Sequence, residues 1–504
     1  MTDHTQNEDL LYSRKKTRIG KLPWSTMVYQ GVGALPDNFQ NFAFNTFLLF
    51  YYNQVLGLTA AWASFALMLA LIVDALSDPM VGSFSDNLKS KWGRRHPLMF
   101  ASALPMGICI AAVFLPPAGL SEVQLFAWLL VFAIATRLAQ TFFEVPWGAI
   151  YSELTEDYEE RSALVTIRFV LASVAGLAFV YGTWTFIFPS TEVFPKGQLN
   201  PDGYSVFAGV LGLFVFLPIV VSTALTRSQI PYMLQPSDAM PRFSILRVFT
   251  EVLMALKNPD YRKMFFTLVV VGALWGTGQA LELYVNTYFW GFGGEQLGVL
   301  SMSLAGAFLA FALVVPLQRR FDKSQVVVCA FGFLVAEKLI LYGLRIYFDV
   351  LPPNGDPLLL TIIVGTAALR VGAMTLLGIL AVSMVADTLD AQELATGRRQ
   401  EGIFASARSL AGKATTGLGV FISGLLLTYG LAFPTDVGAG GEVSAETVNK
   451  LALIDGVVSV FFVIPLILMA RYRISRAVFH RIHLALAEKR ATGRTRIDVW
   501  VQDK

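Results

Sequence analysis

The feature that most constrains this chain is a series of long apolar runs separated by short polar segments. A helix needs about 20 apolar residues to cross a bilayer, and these runs are that long. Because a backbone in lipid must satisfy its own hydrogen bonds, such runs fold as helices. We predict twelve membrane-spanning helices, near residues 27–56, 60–84, 98–117, 123–151, 161–188, 203–226, 262–291, 295–317, 325–349, 357–386, 401–431 and 450–470.

Composition and charge placement agree with an all-α, multi-pass membrane protein. Of the 504 residues 55% are apolar and only 15% are charged, against about 25% charged in soluble domains. Lysine and arginine crowd alternate loops, after spans 2, 8 and 10 and in the long central connector, which predicts cytoplasmic loops there and two cytoplasmic termini. The net charge of +3 is small and reports this topology, so we expect no nucleic-acid partner.

The order of these segments predicts a major facilitator fold made of two six-helix halves, with a substrate bound between them at mid-membrane. One chain then holds a whole transporter in an inner or plasma membrane, and we expect a monomer. Residues 1–26 carry no signal-peptide pattern. The predicted parts are a cytoplasmic tail (1–26), two halves (27–226 and 262–470), a cytoplasmic connector (227–261) and a basic amphipathic tail on the inner leaflet (471–504).

Two acids stand at the end of the second apolar run. Asp74 and Asp78 are four residues apart, so a helix places both carboxylates on one face. A charge inside the bilayer costs about 2.5 to 3.5 kcal/mol, and acids found there usually do work. Two close carboxylates repel each other unless a cation or a proton lies between them. The spacing therefore predicts a site for Na⁺ or H⁺, and the alternative is a solvated helix end before Pro79.

Charged loops follow the acid pair and recur in the second half. The first contains Asp86, Gly93, Arg94 and Arg95. Two more charged loops run from an acidic helix end to an arginine in the next helix, namely Glu153 to Arg168 and, through Arg399, Asp387 to Arg408. We interpret these loops as latches that close the cytoplasmic side during alternating access. The alternative is a solvated turn whose surface ion pairs contribute little.

Further charges lie within the predicted spans, and so many could be tolerated only if most pair or face water. Arg137 and Glu144 are seven residues apart on one helix face, which suits either a structural pair or a substrate contact. Arg408 and Lys413 could neutralise the membrane acids. Glu282 is expected near the outer interface. The remaining members of this set are Asp37, Arg168 and Arg370.

The stretch DALSDPMVGSFSDNLKSKWGRRHP, at residues 74–97, resembles the signature of the glycoside-pentoside-hexuronide:cation symporters, a branch of the major facilitator superfamily. GALPDNFQNFAF, FEVPW, IRFVLASVAG and ADTLDAQELATGRRQEG extend the resemblance over most of the chain. It implies that Asp74 and Asp78 bind the coupling cation, with Thr141 and Glu144 nearby. The implied sugar contacts are Asp37, Glu144, Arg168 and Trp147, and Lys413 is implied to link the cation and substrate sites.

The substrate class stays open at this point. Arg137 and Arg408 are extra cations relative to that family, and arginine suits carboxylates, sulfonates or phosphates. We therefore expect an anionic solute such as a hexuronide or a sulfonated sugar. Lysophospholipid symporters share the acid pair and the lysine, so a lysolipid is the alternative. An enzyme or receptor ranks below both, because HExxH, GxSxG and intramembrane histidines are missing from the sequence, and we expect no cofactor besides the coupling ion.

Overall fold

The computed structural model describes residues 12–14, 18, 20–236, 256, 259–396, 401–435, 437 and 442–492 of the chain. For residues 12–14, 234–236, 260, 395–396, 401–410 and 490–492 it describes the backbone alone. Helices form almost all of the described part. Two three-residue strands, β1 (Tyr12–Arg14) and β2 (Leu234–Pro236), pair antiparallel with Tyr12 opposite Pro236. The pairing joins the segment before the first helix to the start of the connector.

The first half of the chain contains seven α-helices. They are α1 (Trp24–Val32), α2 (Leu35–Phe42), α3 (Ala60–Asn87), α4 (His96–Val113), α5 (Glu122–Leu154), α6 (Tyr158–Gly182) and α7 (Pro201–Thr226). Local sequence determines where several of them begin, because the side chains of Ser121, Asp157 and Asn200 accept hydrogen bonds from backbone N–H groups of the first turn.

The described residues from Pro259 onward form nine α-helices, the last of them in the C-terminal tail. They are α8 (Pro259–Tyr284), α9 (Gly294–Ser301), α10 (Gly306–Arg320), α11 (Lys323–Ile346), α12 (Pro357–Thr396), α13 (Glu401–Leu425), α14 (Ala445–Val460), α15 (Val463–Ala470) and α16 (Arg476–Thr492). The 3₁₀ turn Met302–Ala305 separates α9 from α10 within one predicted span.

Among the described residues, eleven helical stretches are long and apolar enough to cross a membrane. The first predicted span, 27–56, is divided instead. Helix α1 ends at Val32 and α2 begins at Leu35, because Pro36 in the first turn of α2 lacks the N–H that a continuous helix needs. Two π turns, Ala43–Leu48 and Tyr51–Val55, continue the same run.

One helix ending recurs four times. The turns Tyr51–Val55, Thr183–Ile187, Val285–Phe289 and Leu426–Gly430 are all π-helical, and each closes with a backbone N–H five residues after its acceptor carbonyl. These turns end the first and fifth helical runs of each half. The two halves therefore repeat a local structure as well as a helix order.

Glycines bring α13 close to both α3 and α8. A β-carbon at Gly424 would lie 2.5 Å from the Ala60 carbonyl oxygen, and one at Gly417 would lie 3.1 Å from Leu71 Cβ. On another face of α13, Gly419 packs directly against the backbone of Ala273. Small residues permit such close backbone approach between membrane helices. The contact between the two halves depends on it, since α3 belongs to the first half and α13 to the second.

The basic tail forms a helix that packs on the protein. Helix α16 (Arg476–Thr492) lies within the predicted tail, and its apolar face is covered by other helices of the second half. Ile482 is fully buried, and it joins a core cluster with Leu377 and Met384 of α12. The Arg476 backbone N–H also donates to Asp322 at 3.0 Å. The periodicity predicts the buried face correctly but not what covers it.

We expect Gly424→Ala to lower the stability of the folded protein, because the added methyl group meets the Ala60 carbonyl and Ser64 with no room to move. Overpacking of this kind costs about 1 to 3 kcal/mol. Gly412→Ala is the matched control on the same helix, since a β-carbon there meets nothing within 4 Å. Melting temperatures of the two purified variants measure the difference, and equal values would contradict the close contact.

Candidate cation and substrate site

The predicted acid pair lies at the contact between α3 and α13. Lys413 Nζ of α13 is 2.9 Å from Asp74 Oδ2 and 2.6 Å from Asp78 Oδ2. The Thr141 hydroxyl of α5 lies 3.0 Å from Asp74 Oδ1 and 3.2 Å from Asp78 Oδ1. Three helices from both halves of the chain thus bring a lysine, a threonine and two carboxylates together.

The position of Asp78 within α3 argues against the solvated helix end. Helix α3 continues to Asn87, more than two turns beyond Asp78. Pro79 lies inside this helix and leaves the carbonyl of Ala75 without its usual helical partner. Asp74 is 2% exposed. The pair is therefore a largely buried, oxygen-rich cluster in which Lys413 contacts both carboxylates directly.

A chain of polar side chains runs from this cluster toward α2. Arg137 Nη1 lies 3.9 Å from Asp74 Oδ2 and 3.4 Å from Asn41 Oδ1. Asn41 in turn donates to Asp37 at 2.7 Å. Arg137 therefore lies between the acid pair and Asn41, the partner of the predicted substrate contact Asp37.

Gln140 connects Asp37 and Glu144, the other two acids of the predicted site. Its amide donates to Asp37 at 2.7 Å and to Glu144 at 3.3 Å. Glu144 thus shares the Gln140 amide with Asp37, and it is also close enough to Asp78 for the two acids to repel each other. The structure places Glu144 with the predicted substrate contacts, next to the cation pair.

Trp147 is not a free aromatic surface for a sugar. It is 1% exposed, its indole N–H donates to the Gln30 carbonyl at 2.9 Å, and Gly33 packs directly against its ring. The Arg168 guanidinium lies 4.2 Å from the ring centroid, in electrostatic contact with Glu144 and Asp37. We therefore correct the expected sugar contact at Trp147, because this buried ring packs against the Arg168 guanidinium instead.

A cavity of about 590 Å³ lies between the two halves, beside this polar chain. Three asparagines on one face of the first helical run point to it, namely Asn38, Asn41 and Asn45. On the opposite side it is lined by Trp275, Gln279 and Asn286. These groups escaped the sequence analysis because it considered charges alone, although the spacing of the asparagines was visible.

Glu282 and Arg370 form the charged pair of this cavity. Arg370 Nη2 lies 2.9 Å from Glu282 Oε1, and both residues line the cavity wall. Glu282, expected near the outer interface, thus faces the cavity close to the end of α8 at Tyr284. The second half therefore presents both an acid and a base to the space between the halves.

Direct contacts between the halves close one end of the cavity. Tyr284 donates to Asn53 at 2.9 Å, and Tyr288 donates to Gln54 at 2.6 Å. The Gln198 amide donates to Thr287 at 2.9 Å. Burial lowers the pKa of Lys196, whose ammonium lies 4.9 Å from the Tyr288 ring. This end of the bundle carries the four π turns.

The predicted latch of the first half lies at the opposite end. Glu153 Oε1 accepts from Arg94 at 2.6 Å and from Arg95 at 2.5 Å, and Asp86 lies within 3.4 Å of both guanidinium groups. Gly93 permits the turn, with φ of +75°. The sequence places Glu153 at the acidic end of a charged loop, but its pairing with Arg94 and Arg95 is seen only in the structure. All of these contacts join helices of one half.

The second half repeats this arrangement with one pair. Lys323 Nζ at the start of α11 lies 2.6 Å from Asp387 Oδ2 near the end of α12. Arg94 and Arg95 likewise directly precede α4, and Glu153 lies next to the last residue of α5. The ion pairs therefore occupy corresponding positions in the two halves. Arg399 lies outside the described residues, and so does the side chain of Arg408 on α13.

Comparison with known proteins shows which family the chain belongs to. Residues 29–476 match the family described as MFS/sugar transport protein. The chain belongs to the MFS/sugar transport family. Its relatives include the isoprimeverose transporter of Lactiplantibacillus pentosus, 24% identical over 413 residues that cover 81% of each chain. The glucuronide carrier protein homolog of Escherichia coli is 23% identical over 411 residues, 81% of this chain and 84% of that one.

The solved structures agree on the fold. The inward open conformation of the xylose transporter XylE from Escherichia coli matches with a TM-score of 0.54 and 16% identity, over 90% of this chain and 96% of that one. This member of the MFS/sugar transport family is therefore a multi-pass transporter of the inner or plasma membrane. The resemblance to glycoside-pentoside-hexuronide:cation symporters is confirmed.

We expect Lys413→Ala to destabilise the protein, because it leaves Asp74 and Asp78 side by side with only the more distant Arg137, 3.9 Å from Asp74, as a nearby cation among the described residues. Removing one partner of a buried ion pair costs about 3 to 5 kcal/mol. Adding Asp78→Asn to Lys413→Ala removes the repulsion and should restore most of the loss. Thermal unfolding of the single and double variants in Na⁺-free buffer measures this, and the absence of rescue would contradict the charge balance.

Proposed function

We propose that this protein is a cation-coupled symporter that imports a small glycoside or uronide-type solute by alternating access, with Na⁺ or H⁺ as the coupling ion. The observation that carries the proposal is the position of Lys413, which shares the oxygens of Asp74 and Asp78. A coupling cation needs those same oxygens, so the lysine and the cation compete for one site.

We extend the proposal to the topology. The run from Trp24 to Val55 serves as the first of twelve crossings, which gives two six-helix halves on either side of the connector. The end with Arg94 and Arg95 faces the cytoplasm, since basic residues favour that side. Both termini then lie in the cytoplasm, and one monomer is sufficient for transport.

The proposed coupling begins when the cation enters between the two aspartates. It neutralises their repulsion and releases Lys413, whose charge becomes available to the chain of Arg137, Asn41 and Asp37. That chain leads to the central cavity, so binding of cation and solute is linked reciprocally. Only the fully loaded or empty carrier then moves between its two facing states.

The cavity supports the choice of solute class. Amide groups of Asn38, Asn41 and Asn45 suit sugar hydroxyls, and Trp275 supplies an aromatic surface for a sugar ring. Arg168 can bind a carboxylate beside them. The isoprimeverose and glucuronide carriers among the relatives are named for a neutral and an acidic glycoside. We favour the acidic class because of Arg168 and Arg137.

A lysophospholipid is the alternative solute. A second cavity of about 570 Å³ lies against α2, α6 and α7, and its lining is apolar except for Thr183. Phe39 and Phe179 line both this cavity and the central one. An acyl chain could lie there while a headgroup occupied the central cavity. This observation favours the lysolipid, whereas the amide-rich central wall favours the glycoside.

We expect Na⁺ to raise the melting temperature of the purified protein, and a bound solute to raise it further. A ligand at 100 times its dissociation constant stabilises by about 2.7 kcal/mol. The solutes to compare are xylosides, glucuronides, sulfonated sugars and lysophospholipids. Asp74→Asn should remove the Na⁺ response. Asp202→Asn should keep it, because Asp202 is an exposed acid in the first turn of α7. A Na⁺ response that survives Asp74→Asn would refute the site.

We also expect Asp78→Asn to separate coupling from substrate movement. In proteoliposomes, uphill uptake of a radiolabelled glucuronide driven by a Na⁺ or pH gradient should fall to the level of protein-free liposomes. Exchange of the same glucuronide across the membrane should persist, because the Arg168 region is intact. Uphill uptake equal to wild type would rule out the aspartate pair as the coupling site.

A further inference from the structure

A second buried charge network lies in the C-terminal half, apart from the aspartate pair. Arg370 of α12 contacts Glu282 of α8 at 2.9 Å and Glu337 of α11 at 3.2 Å. Its neighbour Lys338 lies 2.7 Å from Asp455 of α14. The Tyr342 hydroxyl donates to the same Asp455 at 2.5 Å. Four helices therefore contribute to the network.

The charges of this network do not balance when every group is ionised. The three carboxylates are those of Glu282, Glu337 and Asp455, whereas the cations are only Arg370 and Lys338. One negative charge is then left in a region within the membrane, where an uncompensated charge is strongly unfavourable. The network is balanced if one carboxyl group holds a proton.

Geometry identifies which carboxyl group holds it. Asp455 accepts from both Lys338 and Tyr342, and Glu282 is 35% exposed at the central cavity. The side chain of Glu337 is 3% exposed, and its Oε2 atom has no hydrogen-bond partner among the described residues. A buried carboxylate oxygen without a donor is costly, whereas a protonated one can donate to water.

A path for the proton exists beside Glu337. A cavity of about 40 Å³ is lined by Glu337, Gln279 and Ser459, among other residues of the network. This volume is too small for a solute but sufficient for a water molecule. Gln279 also lines the central cavity, so the small cavity adjoins the space where a solute would bind.

We propose that Glu337 is a proton-binding site of the C-terminal half, linked through Arg370 and Glu282 to the central cavity. Loss of the proton from Glu337 Oε2 to water creates a second carboxylate beside Arg370. Arg370 then divides its donors between two anions and holds Glu282 less firmly, which changes the groups offered to the solute. This role rests on the proposed transport function, whereas the protonation of Glu337 does not.

Infrared difference spectroscopy of the full-length purified protein tests the protonation without any solute. The spectrum near neutral pH should contain a carboxylic acid C=O band that is lost at high pH. Glu337→Gln should lose this band, and Glu337→Asp should shift it. Glu446→Gln, an exposed acid paired only with Lys450 on the protein surface, should keep it.

Each outcome distinguishes this inference from the proposed cation site. A band that is unchanged in Glu337→Gln, or absent at every pH, would overturn the inference while leaving the Na⁺ response of the aspartate pair to be judged separately. Glutamine has the shape and neutrality of a protonated glutamate, so Glu337→Gln should melt close to wild type. A large loss of stability in Glu337→Gln would also count against a neutral Glu337.

Discussion

The interaction on which this structure depends is the one between Lys413 and the two aspartates of α3. It joins the halves of the chain, because the lysine belongs to α13 and the acids to α3. The glycines of α13 allow the helix backbones to come close enough for the lysine to reach both carboxylates. Whatever replaces the lysine at those oxygens also changes the contact between the halves.

Local and periodic signals in the sequence were sufficient for the helices and for this acid pair. The length of apolar runs predicts the crossings, and the four-residue spacing of Asp74 and Asp78 predicts a shared face. Even the break in the first span could be anticipated from Pro36, which removes a helical donor. What spacing could not supply is the environment of a side chain. Trp147 follows Glu144 closely in the motif FEVPW, yet Gly33 and Gln30, more than 110 residues away, bury it.

The network of the second half shows the same limit more clearly. Lys338 and Asp455 are separated by 117 residues, and Arg370 and Glu282 by 88. Apart from the adjacent Glu337 and Lys338, the members of the network stand among apolar neighbours in the sequence and could be interpreted as isolated polar residues. Only tertiary packing shows that they are partners. The latch of the first half was partly predictable, because Arg94 and Arg95 are adjacent, but its acceptor Glu153 lies on a different helix.

The two halves use buried charge differently, and this difference bears on alternating access. The acid pair of the first half is completed by a residue of the second, so its charge balance changes if the halves separate. The network of the second half is complete within its own helices and meets the central cavity through Glu282 and Arg370. A rocking motion would therefore disturb the first cluster directly, whereas the second would respond to what occupies the cavity. In the proposed transport cycle, the charge balance of the first cluster would follow the conformation, and that of the second would follow the occupancy of the cavity.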